Sequence, residues 1–244
     1  MKKPRLQKDN MKIITIISNY NEEEAIAATI QDILMNKSIE TDILVIDNSS
    51  TDNSLQIVKE LGVDYLIHPV NTGGSSGVIK TAFAYAYYHD YDIYCHMDGD
   101  NQHLASELIK IVDPLLKDKG IDIVTGSRYI NKEGFQSTFM RKATIFFFSK
   151  IISLITKSNF TDITSGFIAY NNKAIKFFAT NFKHEIESAT QLQLIAYYAG
   201  LKRCDIPVVM KARSVGVSEF NIQNAIKFPI YNFISFIGTI IKRV

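Results

Sequence analysis

Apolar runs with the length of buried strands alternate with helix-length runs through the first half of this chain. The predicted strands are Lys12–Ser18, Asp42–Asp47, Tyr65–His68, Asp92–Met97 and Asp122–Thr125. The predicted helices are Glu22–Met35, Thr51–Leu61, Ser75–His89 and Ala105–Lys117. Strands that alternate with helices of about 10–15 residues form a mostly parallel sheet with helices packed on its faces. The pattern therefore predicts an α/β fold with a doubly wound sheet.

After Arg128 the alternation gives way to longer and more apolar segments. We predict helices at Phe135–Lys157, Ala189–Ala199 and Asn221–Lys242, a polar loop at Asp162–Phe167 and a strand at Leu201–Met210. Residues 1–10 are polar and basic, which predicts a disordered leader. The expected organisation is this leader, one folded domain over residues 11–220, and an amphipathic C-terminal helix over residues 221–244.

Composition limits the classes to which the chain can belong. With 46% apolar and 21% charged residues, its 244 residues suit a globular protein with one large α/β domain or two small ones. The net charge of +2 gives no reason to expect a nucleic-acid partner. We expect no signal peptide, because residues 1–10 are polar and basic with no apolar core after them. We also expect no membrane span, because no run reaches the ~20 apolar residues that cross a bilayer. Cys95 and Cys204 lie in apolar runs and indicate reduced thiols in a cytoplasmic protein.

Two acidic residues, Asp98 and Asp100, follow the fourth predicted strand. Mg²⁺ and Mn²⁺ prefer oxygen ligands and readily bridge carboxylates to phosphates, although Asp-Gly-Asp is also common in turns. Asn19–Glu22 and Asp47 follow the first two strands. Ligands of parallel sheets bind outside the carboxyl ends of the strands, so all these side chains are expected at one edge. The sequence thus predicts a metal–diphosphate site there.

Short motifs carry a family resemblance from about Ile13 to about Asn221. They are Ser-Asn-Tyr-Asn-Glu-Glu (18–23), Val-Ile-Asp-Asn-Ser-Ser-Thr-Asp (45–52), Asn-Thr-Gly-Gly-Ser-Ser-Gly (71–77), Asp-Gly-Asp-Asn-Gln-His (98–103), Gly-Ser-Arg-Tyr (126–129), Thr-Ser-Gly-Phe (164–167), Ile-Pro-Val (206–208) and Arg-Ser-Val-Gly-Val-Ser (213–218). In this order they resemble the family 2 glycosyltransferases of the GT-A fold, in particular the dolichyl- and polyprenyl-phosphate sugar synthases. The expected fold is accordingly a GT-A, Rossmann-like sheet.

The resemblance implies a role for each motif residue. Those implied to bind the nucleotide are Tyr20, Asn21, Glu22, Asp47, Gly73, Asp98, Gly99 and Arg128. Within this set, Glu22 would accept a hydrogen bond from the ribose and Asp47 one from the base. Asp98 and Asp100 would hold Mg²⁺ or Mn²⁺, with Asp100 the direct ligand. Arg128 and Arg213 would contact the diphosphate, whose oxygens match guanidinium groups.

Several of these residues also have a plainer interpretation. Asp47 would serve equally as a cap for the next helix, and Arg213 as a solvated charge. The glycines around Gly73 would serve as a flexible turn, because they lack the spacing of a phosphate-binding P-loop.

The chain departs from the family pattern at three places. Ser18 replaces the usual Pro, and Asn48 replaces the usual second Asp. Where the family commonly has a catalytic carboxylate, the register gives Gln191, with Glu185 and Glu187 slightly upstream. We take Asp100, Glu187 and Arg213 as the candidate catalytic residues, but the base remains open between Glu185, Glu187 and none. A lipid-phosphate acceptor is already an anion and needs no base, whereas a sugar hydroxyl does.

The expected function is an inverting transfer of a sugar from a nucleotide-diphosphate sugar, with UDP favoured. The acceptor would be a lipid-linked or polyprenyl-phosphate group in surface polysaccharide or cell-envelope synthesis. A sugar-phosphate nucleotidyltransferase would need a Gly-rich, basic signature after the first strand, which is missing. A non-catalytic nucleotide-sugar binder or scaffold is the other alternative, and the intact Asp98 and Asp100 argue against it.

Two apolar helices suggest contact with a membrane surface. The segment 221–244 carries apolar residues near helical spacing beside Lys227, Lys242 and Arg243, and Phe135–Lys157 is similar. Such helices lie in the headgroup region of anionic membranes, or pack on the domain or in a homo-oligomer. We favour a cytoplasmic protein that is peripheral at the inner face of the cell membrane.

Overall fold

The computed structural model describes residues 11–71, 76–118, 120–136, 138–181 and 189–213. Their strands are β1 (Ile13–Asn19), β2 (Asp42–Asp47), β3 (Asp64–Ile67), β4 (Ile93–Asp98), β5 (Ile123–Ser127), β6 (Ile168–Asn171) and β7 (Arg203–Pro207). Their α-helices are α1 (Ile26–Asn36), α2 (Ser54–Glu60), α3 (Ser76–Tyr88), α4 (Leu108–Lys117), α5 (Phe139–Thr156), α6 (Asn172–Asn181) and α7 (Ala189–Tyr198). The expected leader 1–10 and helix 221–244 lie outside the described residues.

One mixed sheet organises these elements, with the strand order β3-β2-β1-β4-β6-β5-β7. The β1–β2, β1–β4, β2–β3 and β5–β7 pairs are parallel, whereas β6 runs antiparallel to both β4 and β5. This confirms the predicted mostly parallel α/β sheet. Strand β6 and helix α6 were not among the predicted elements.

The isoleucines of β1 show why the sheet is covered on both faces. Side chains alternate along a strand, so neighbouring residues point to opposite faces. Ile14 and Ile16 belong to a buried cluster that includes residues of α3 and α6. Ile13 and Ile17 belong to a second buried cluster that includes residues of α1 and α4. A strand buried on both faces reads as a nearly continuous apolar run, as this one does.

Among the described residues, helix α5 packs on the rest of the fold through one side. Its residues Ile145, Phe148 and Ile152 form a third buried cluster with Phe160, Ile163 and Leu194, the last from α7. The opposite side leaves Phe146, Phe147 and Leu154 exposed. The helix begins at Phe139 and not at the expected Phe135, and it ends where Lys157 takes a left-handed φ of 52°.

The predicted helix Ala189–Ala199 agrees closely with α7, and Gly200 just beyond it has a φ of 69°, a left-handed conformation that glycine adopts readily. Strand β7 covers only residues 203–207 of the expected strand Leu201–Met210. Beyond it, Met210 pairs with His103 in an isolated antiparallel bridge. This bridge brings the chain back toward the carboxyl end of β4. Within the described ranges, no helix has the length and apolarity that a membrane crossing requires.

Candidate active site

The carboxyl ends of three neighbouring strands bring the predicted polar residues together. In the sheet register, Asn19 at the end of β1 pairs with Asp47 of β2, and Ser18 pairs with Asp98 of β4. This is the edge at which parallel α/β sheets bind ligands. Strand order, and not sequence proximity, therefore assembles the candidate site.

Asp98 is the last residue of β4, and 43% of its side-chain surface is exposed. The Ser18 hydroxyl donates a hydrogen bond of 3.3 Å to its Oδ1. Burial of the carboxyl raises its pKa, but the contacts with His96, His103 and Ser18 outweigh this and hold the pKa well below its ordinary value. The group is therefore ionised, as a cation ligand must be.

Asp100 lies two residues after Asp98, in the turn that follows β4, and a backbone hydrogen bond of that turn holds its side chain. The backbone N–H of Gln102 donates to its Oδ1 at 3.1 Å, and the intervening Asn101 has a φ of 58°. Asn tolerates this left-handed conformation better than most residues do. Burial and the charge of Asp98 raise the pKa of the Asp100 carboxyl. Two adjacent carboxylates thus repel each other in the absence of a cation.

Arg213 lies between two acidic groups that are far apart in sequence. Its Nη2 donates to Glu22 Oε2 at 2.5 Å, and its Nη1 lies 3.9 Å from Asp100 Oδ2. Burial raises the pKa of Glu22 to about 7, with the charges of Asp100 and Asp98 adding to the rise and Arg213 opposing it. The guanidinium therefore supplies positive charge beside the acidic groups.

The two carboxylates suit a hard divalent cation whose remaining ligands come from the substrate. Asp98 and Asp100 offer carboxylate oxygens at one edge of the sheet. Among the described residues, no three His, Cys, Asp or Glu side chains are grouped as a metal site. Mg²⁺ is usually bound by one or two carboxylates together with substrate phosphates, and not by a cage of protein ligands. Burial and the neighbouring charge of Asp98 both raise the pKa of Asp100, and a bound cation would offset the second of these effects.

Asp47 is completely buried and holds its own loop. Its Oδ1 accepts hydrogen bonds of 2.6 Å from both Asn19 Nδ2 and Ser50 Oγ, and its Oδ2 accepts one of 2.9 Å from the Ser50 backbone N–H. The carboxylate thus closes the turn after β2, whereas Ser54 at the start of α2 is contacted by Asp52. Contact with a base remains a prediction, since both oxygens engage the protein here.

Gly99 is required by close packing between β4 and β1. A Cβ there would lie 3.0 Å from the Ser18 carbonyl oxygen. Its N–H donates to that oxygen at 3.0 Å, and its own carbonyl accepts from Thr29 Oγ1 at 2.9 Å. These contacts fix the Asp98–Asp100 turn against β1. A direct contact of Gly99 with the nucleotide stays a prediction.

Arg128 is buried in a bidentate ion pair. Its Nε and Nη2 donate to the two oxygens of Asp162 at 2.7 and 2.8 Å, and Nη2 also donates to Thr164 Oγ1 at 3.0 Å. Burial lowers the pKa of the guanidinium, but Asp162 more than offsets this and the pKa is raised. The expected diphosphate contact of Arg128 stays a prediction, because these donors engage the protein.

Of the remaining predicted residues, two lie at the edge of the site and three are not described. Tyr20 is 39% exposed at the site edge, and Asn21 accepts a 2.8 Å hydrogen bond from the Thr51 backbone through Oδ1. Gly73, Glu185 and Glu187 lie outside the described residues.

The sequence analysis missed three groups that contact Asp98. They are His96, His103 and Gly166. The two histidines flank the Asp-Gly-Asp motif, which was the available signal. Gly166 comes from a motif 68 positions further along the chain, and spacing alone gives no sign of its contact with Asp98.

Comparison with known proteins agrees with this geometry. The profile of Glycosyl transferase family 2 matches residues 14–178. An undecaprenyl-phosphate mannosyltransferase from Micrococcus luteus is 23% identical over 218 residues, which cover 86% of this chain and 88% of that protein. A UDP-N-acetylglucosamine–dolichyl-phosphate N-acetylglucosaminyltransferase from Methanococcus voltae is 27% identical over 215 residues, with 80% and 84% covered.

A solved structure shares the fold at low sequence identity. Glucosyl-3-phosphoglycerate synthase from Mycobacterium tuberculosis, in complex with Mn²⁺, UDP and phosphoglyceric acid, superposes with a TM-score of 0.67 and 14% identity. The superposition covers 93% of this chain and 78% of that one. The family profile covers well over half of the chain and includes the strand edge that carries Asp98 and Asp100. The chain therefore belongs to glycosyl transferase family 2, with the GT-A fold.

Proposed function

We propose that the protein transfers a sugar from a nucleotide-diphosphate sugar, preferably a UDP-sugar, to a polyprenyl-phosphate or other lipid-linked acceptor. Surface polysaccharide or cell-envelope synthesis is the proposed context. The observation that carries the proposal is the pair of carboxylates, Asp98 and Asp100, at the carboxyl end of β4 in a family 2 fold. The names of the M. luteus and M. voltae relatives support the acceptor class, and the UDP complex of the structural neighbour supports the donor.

The proposed donor site spans the ends of β1, β2 and β4. Tyr20, Asn21 and Glu22 would border the nucleoside, with Asp47 and the segment containing Gly73 on the base side. Asp98 and Asp100 would hold Mg²⁺ or Mn²⁺, which, when bound, would supply Lewis-acid stabilisation of the leaving diphosphate. Arg213 would exchange its contact with Glu22 for a diphosphate oxygen, because a guanidinium pairs well with phosphate.

Attack on the sugar would come from the face opposite the diphosphate and invert the anomeric centre. A lipid-phosphate oxygen is anionic and attacks without a base. If the acceptor were a sugar hydroxyl, Glu187 or Glu185 would have to take its proton. With a lipid phosphate, the chain's task is to orient the two reactants and to stabilise the departing charge.

A transfer assay tests this proposal. The full-length protein is incubated with UDP-N-acetylglucosamine, UDP-glucose or GDP-mannose, polyprenyl phosphate, and either Mn²⁺ or EDTA. We expect a lipid-linked sugar and an equal amount of free nucleoside diphosphate with one donor, and none with EDTA. No lipid product from any donor, or nucleotide release that is unaffected by polyprenyl phosphate, would contradict the proposed acceptor.

We further propose that the exposed face of α5 contacts the membrane that carries the acceptor. Phe146, Phe147, Lys150 and Leu154 share this face at helical spacing, and all four are exposed. The 27 residues from 135 to 161 contain no Asp or Glu, but they include Arg141, Lys142, Lys150 and Lys157. An apolar face flanked by basic residues, with no acidic residue in the same segment, matches an anionic lipid surface. We propose on this basis that the protein is peripheral at the inner face of the cell membrane.

We expect Phe147→Ser/Leu154→Ser to weaken binding to phosphatidylglycerol-containing vesicles by on the order of tenfold or more, since each side chain contributes ~1 kcal/mol or more when it leaves water. Co-sedimentation at low salt measures this. The control is Leu34→Ser/Met35→Ser, which removes two exposed apolar side chains from α1. If the wild type does not sediment with vesicles and instead forms a dimer that the α5 variant dissociates, this face is an oligomer contact.

A further inference from the structure

Two buried histidines flank the Asp98 carboxylate, one at each oxygen. His96 Nε2 lies 3.6 Å from Oδ1, and His103 Nε2 lies 3.7 Å from Oδ2. The two imidazoles are only 7% and 5% exposed, whereas Asp98 keeps 43% of its side-chain surface open. The carboxylate is therefore held from within the protein and presents its free side to the site.

The hydrogen bonds of the two rings place a proton on each Nε2. His103 Nδ1 accepts from the Asp98 backbone N–H at 3.1 Å, so the ring proton is on Nε2. His96 Nδ1 lies 2.6 Å from the hydroxyl of Tyr94. The other ring nitrogen, Nε2, faces a carboxylate oxygen that can only accept, so Nε2 carries the proton and the Tyr94 hydroxyl donates to Nδ1. Both Nε2–H groups then face a carboxylate oxygen.

Packing prevents the carboxylate from turning away. A Cβ at Gly166 would lie 2.6 Å from Asp98 Oδ2, so the backbone at this position already abuts the carboxylate. The ring of His103 stacks on Phe167 with 5.0 Å between centroids, which fixes the imidazole in turn. The Thr-Ser-Gly-Phe motif thus supports Asp98 through both its glycine and its phenylalanine.

We propose that Tyr94, His96 and His103 are positioning residues that hold the Asp98 carboxylate in the orientation that the divalent cation and the nucleotide require. The proposal rests on the function proposed above. Asp100 repels Asp98, and the two N–H groups aimed at the Asp98 oxygens offset that repulsion. Outer residues that orient a ligating side chain commonly affect metal affinity 10–100-fold.

A matched pair of tyrosine variants tests the connection through His96. Tyr94 and Tyr170 are both fully buried, stack on each other with 5.3 Å between centroids, and belong to the same core cluster. Tyr94→Phe removes the hydroxyl that orients His96, whereas Tyr170→Phe makes the same chemical change beside it. We expect Tyr94→Phe to weaken UDP binding in the presence of Mn²⁺ several-fold by calorimetry, and Tyr170→Phe to leave it unchanged. Equal effects of the two would overturn the role of His96.

Two replacements of His103 separate positioning from packing. The amide oxygen of Asn reproduces Nδ1 and keeps the bond to the Asp98 N–H, but it leaves nothing near Oδ2. The amide nitrogen of Gln reaches toward the position of Nε2. We expect His103→Asn to weaken Mn²⁺–UDP binding 10–100-fold and His103→Gln to retain part of the affinity. If Asn preserved binding as well as or better than Gln, His103 would serve only the backbone.

A ligand-free measurement tests the contact independently of the function. Thermal unfolding is compared for the wild type, Asp98→Asn, His103→Asn and the double variant. Contacting residues give non-additive changes, whereas independent sites add. We expect the change in melting temperature of the double variant to differ from the sum of the changes in the two single variants. Additive shifts would overturn only the Asp98–His103 contact. A wild type that binds no nucleoside diphosphate would overturn the proposed function, and with it the positioning role of Tyr94, His96 and His103.

Discussion

Asp100→Asn is expected to lower the Mn²⁺-dependent affinity for UDP by on the order of 100-fold, since cation stabilisation of phosphate charge contributes several kcal/mol and each tenfold change corresponds to 1.4 kcal/mol. The variant keeps the size of the side chain and an oxygen that can accept the 3.1 Å hydrogen bond from the Gln102 backbone. The turn should therefore persist while one negative charge is lost. The substitution also removes the repulsion between the two carboxylates, which adds to the effect of burial in raising the pKa of Asp100.

Calorimetric titration of UDP with and without Mn²⁺ measures this effect in both proteins. We expect tight binding only for the wild type with Mn²⁺, and weak, similar binding in the other three cases. Asp113→Asn is the control, because Asp113 is an acidic residue of α4 that pairs with Lys117 on the surface. Equal affinity in all four cases would refute the metal-binding role of Asp100.

The parts of the fold that sequence could predict are those with a strong local pattern. Strands β1, β2 and β4 lie in the middle of the sheet and are covered on both faces, so they appear as continuous apolar runs. Strand β6 has only four residues and inserts antiparallel between β4 and β5. Its position depends on partners such as Tyr94, which lies opposite Tyr170 in the register. Such a pairing leaves no periodic signal in the chain.

The same distinction applies to the candidate site. Asp98 and Asp100 were predictable because a strand end and two carboxylates lie within a few residues of each other. The approach of Glu22 to Arg213 joins residues 191 positions apart, and only the family resemblance linked them. His96 and His103 flank the Asp-Gly-Asp motif, but the sequence alone does not show that their rings approach the Asp98 oxygens. Asp162, the partner of Arg128, lies in the predicted polar loop, where the sequence gives no sign of this contact.

Asp162→Ala is expected to lower the free energy of unfolding by about 3–5 kcal/mol, the usual cost of leaving a buried charge without its partner. Arg128 and Asp162 are 8% and 0% exposed in their side chains, so water cannot replace the lost bidentate contact. Urea unfolding measures the change. The control is Asp113→Ala, which breaks a surface pair and should cost no more than about 1 kcal/mol.

The double variant Arg128→Met/Asp162→Leu separates the two roles open to Arg128. Apolar groups of similar size often replace a buried ion pair without loss of stability, so we expect the double variant to recover most of the free energy that Asp162→Ala loses. UDP binding in the presence of Mn²⁺ then decides the function of the guanidinium. Weakened binding by this stable variant would assign Arg128 to the diphosphate, as the resemblance implies. Unchanged binding would leave Arg128 with the structural task of joining β5 to the loop that precedes β6.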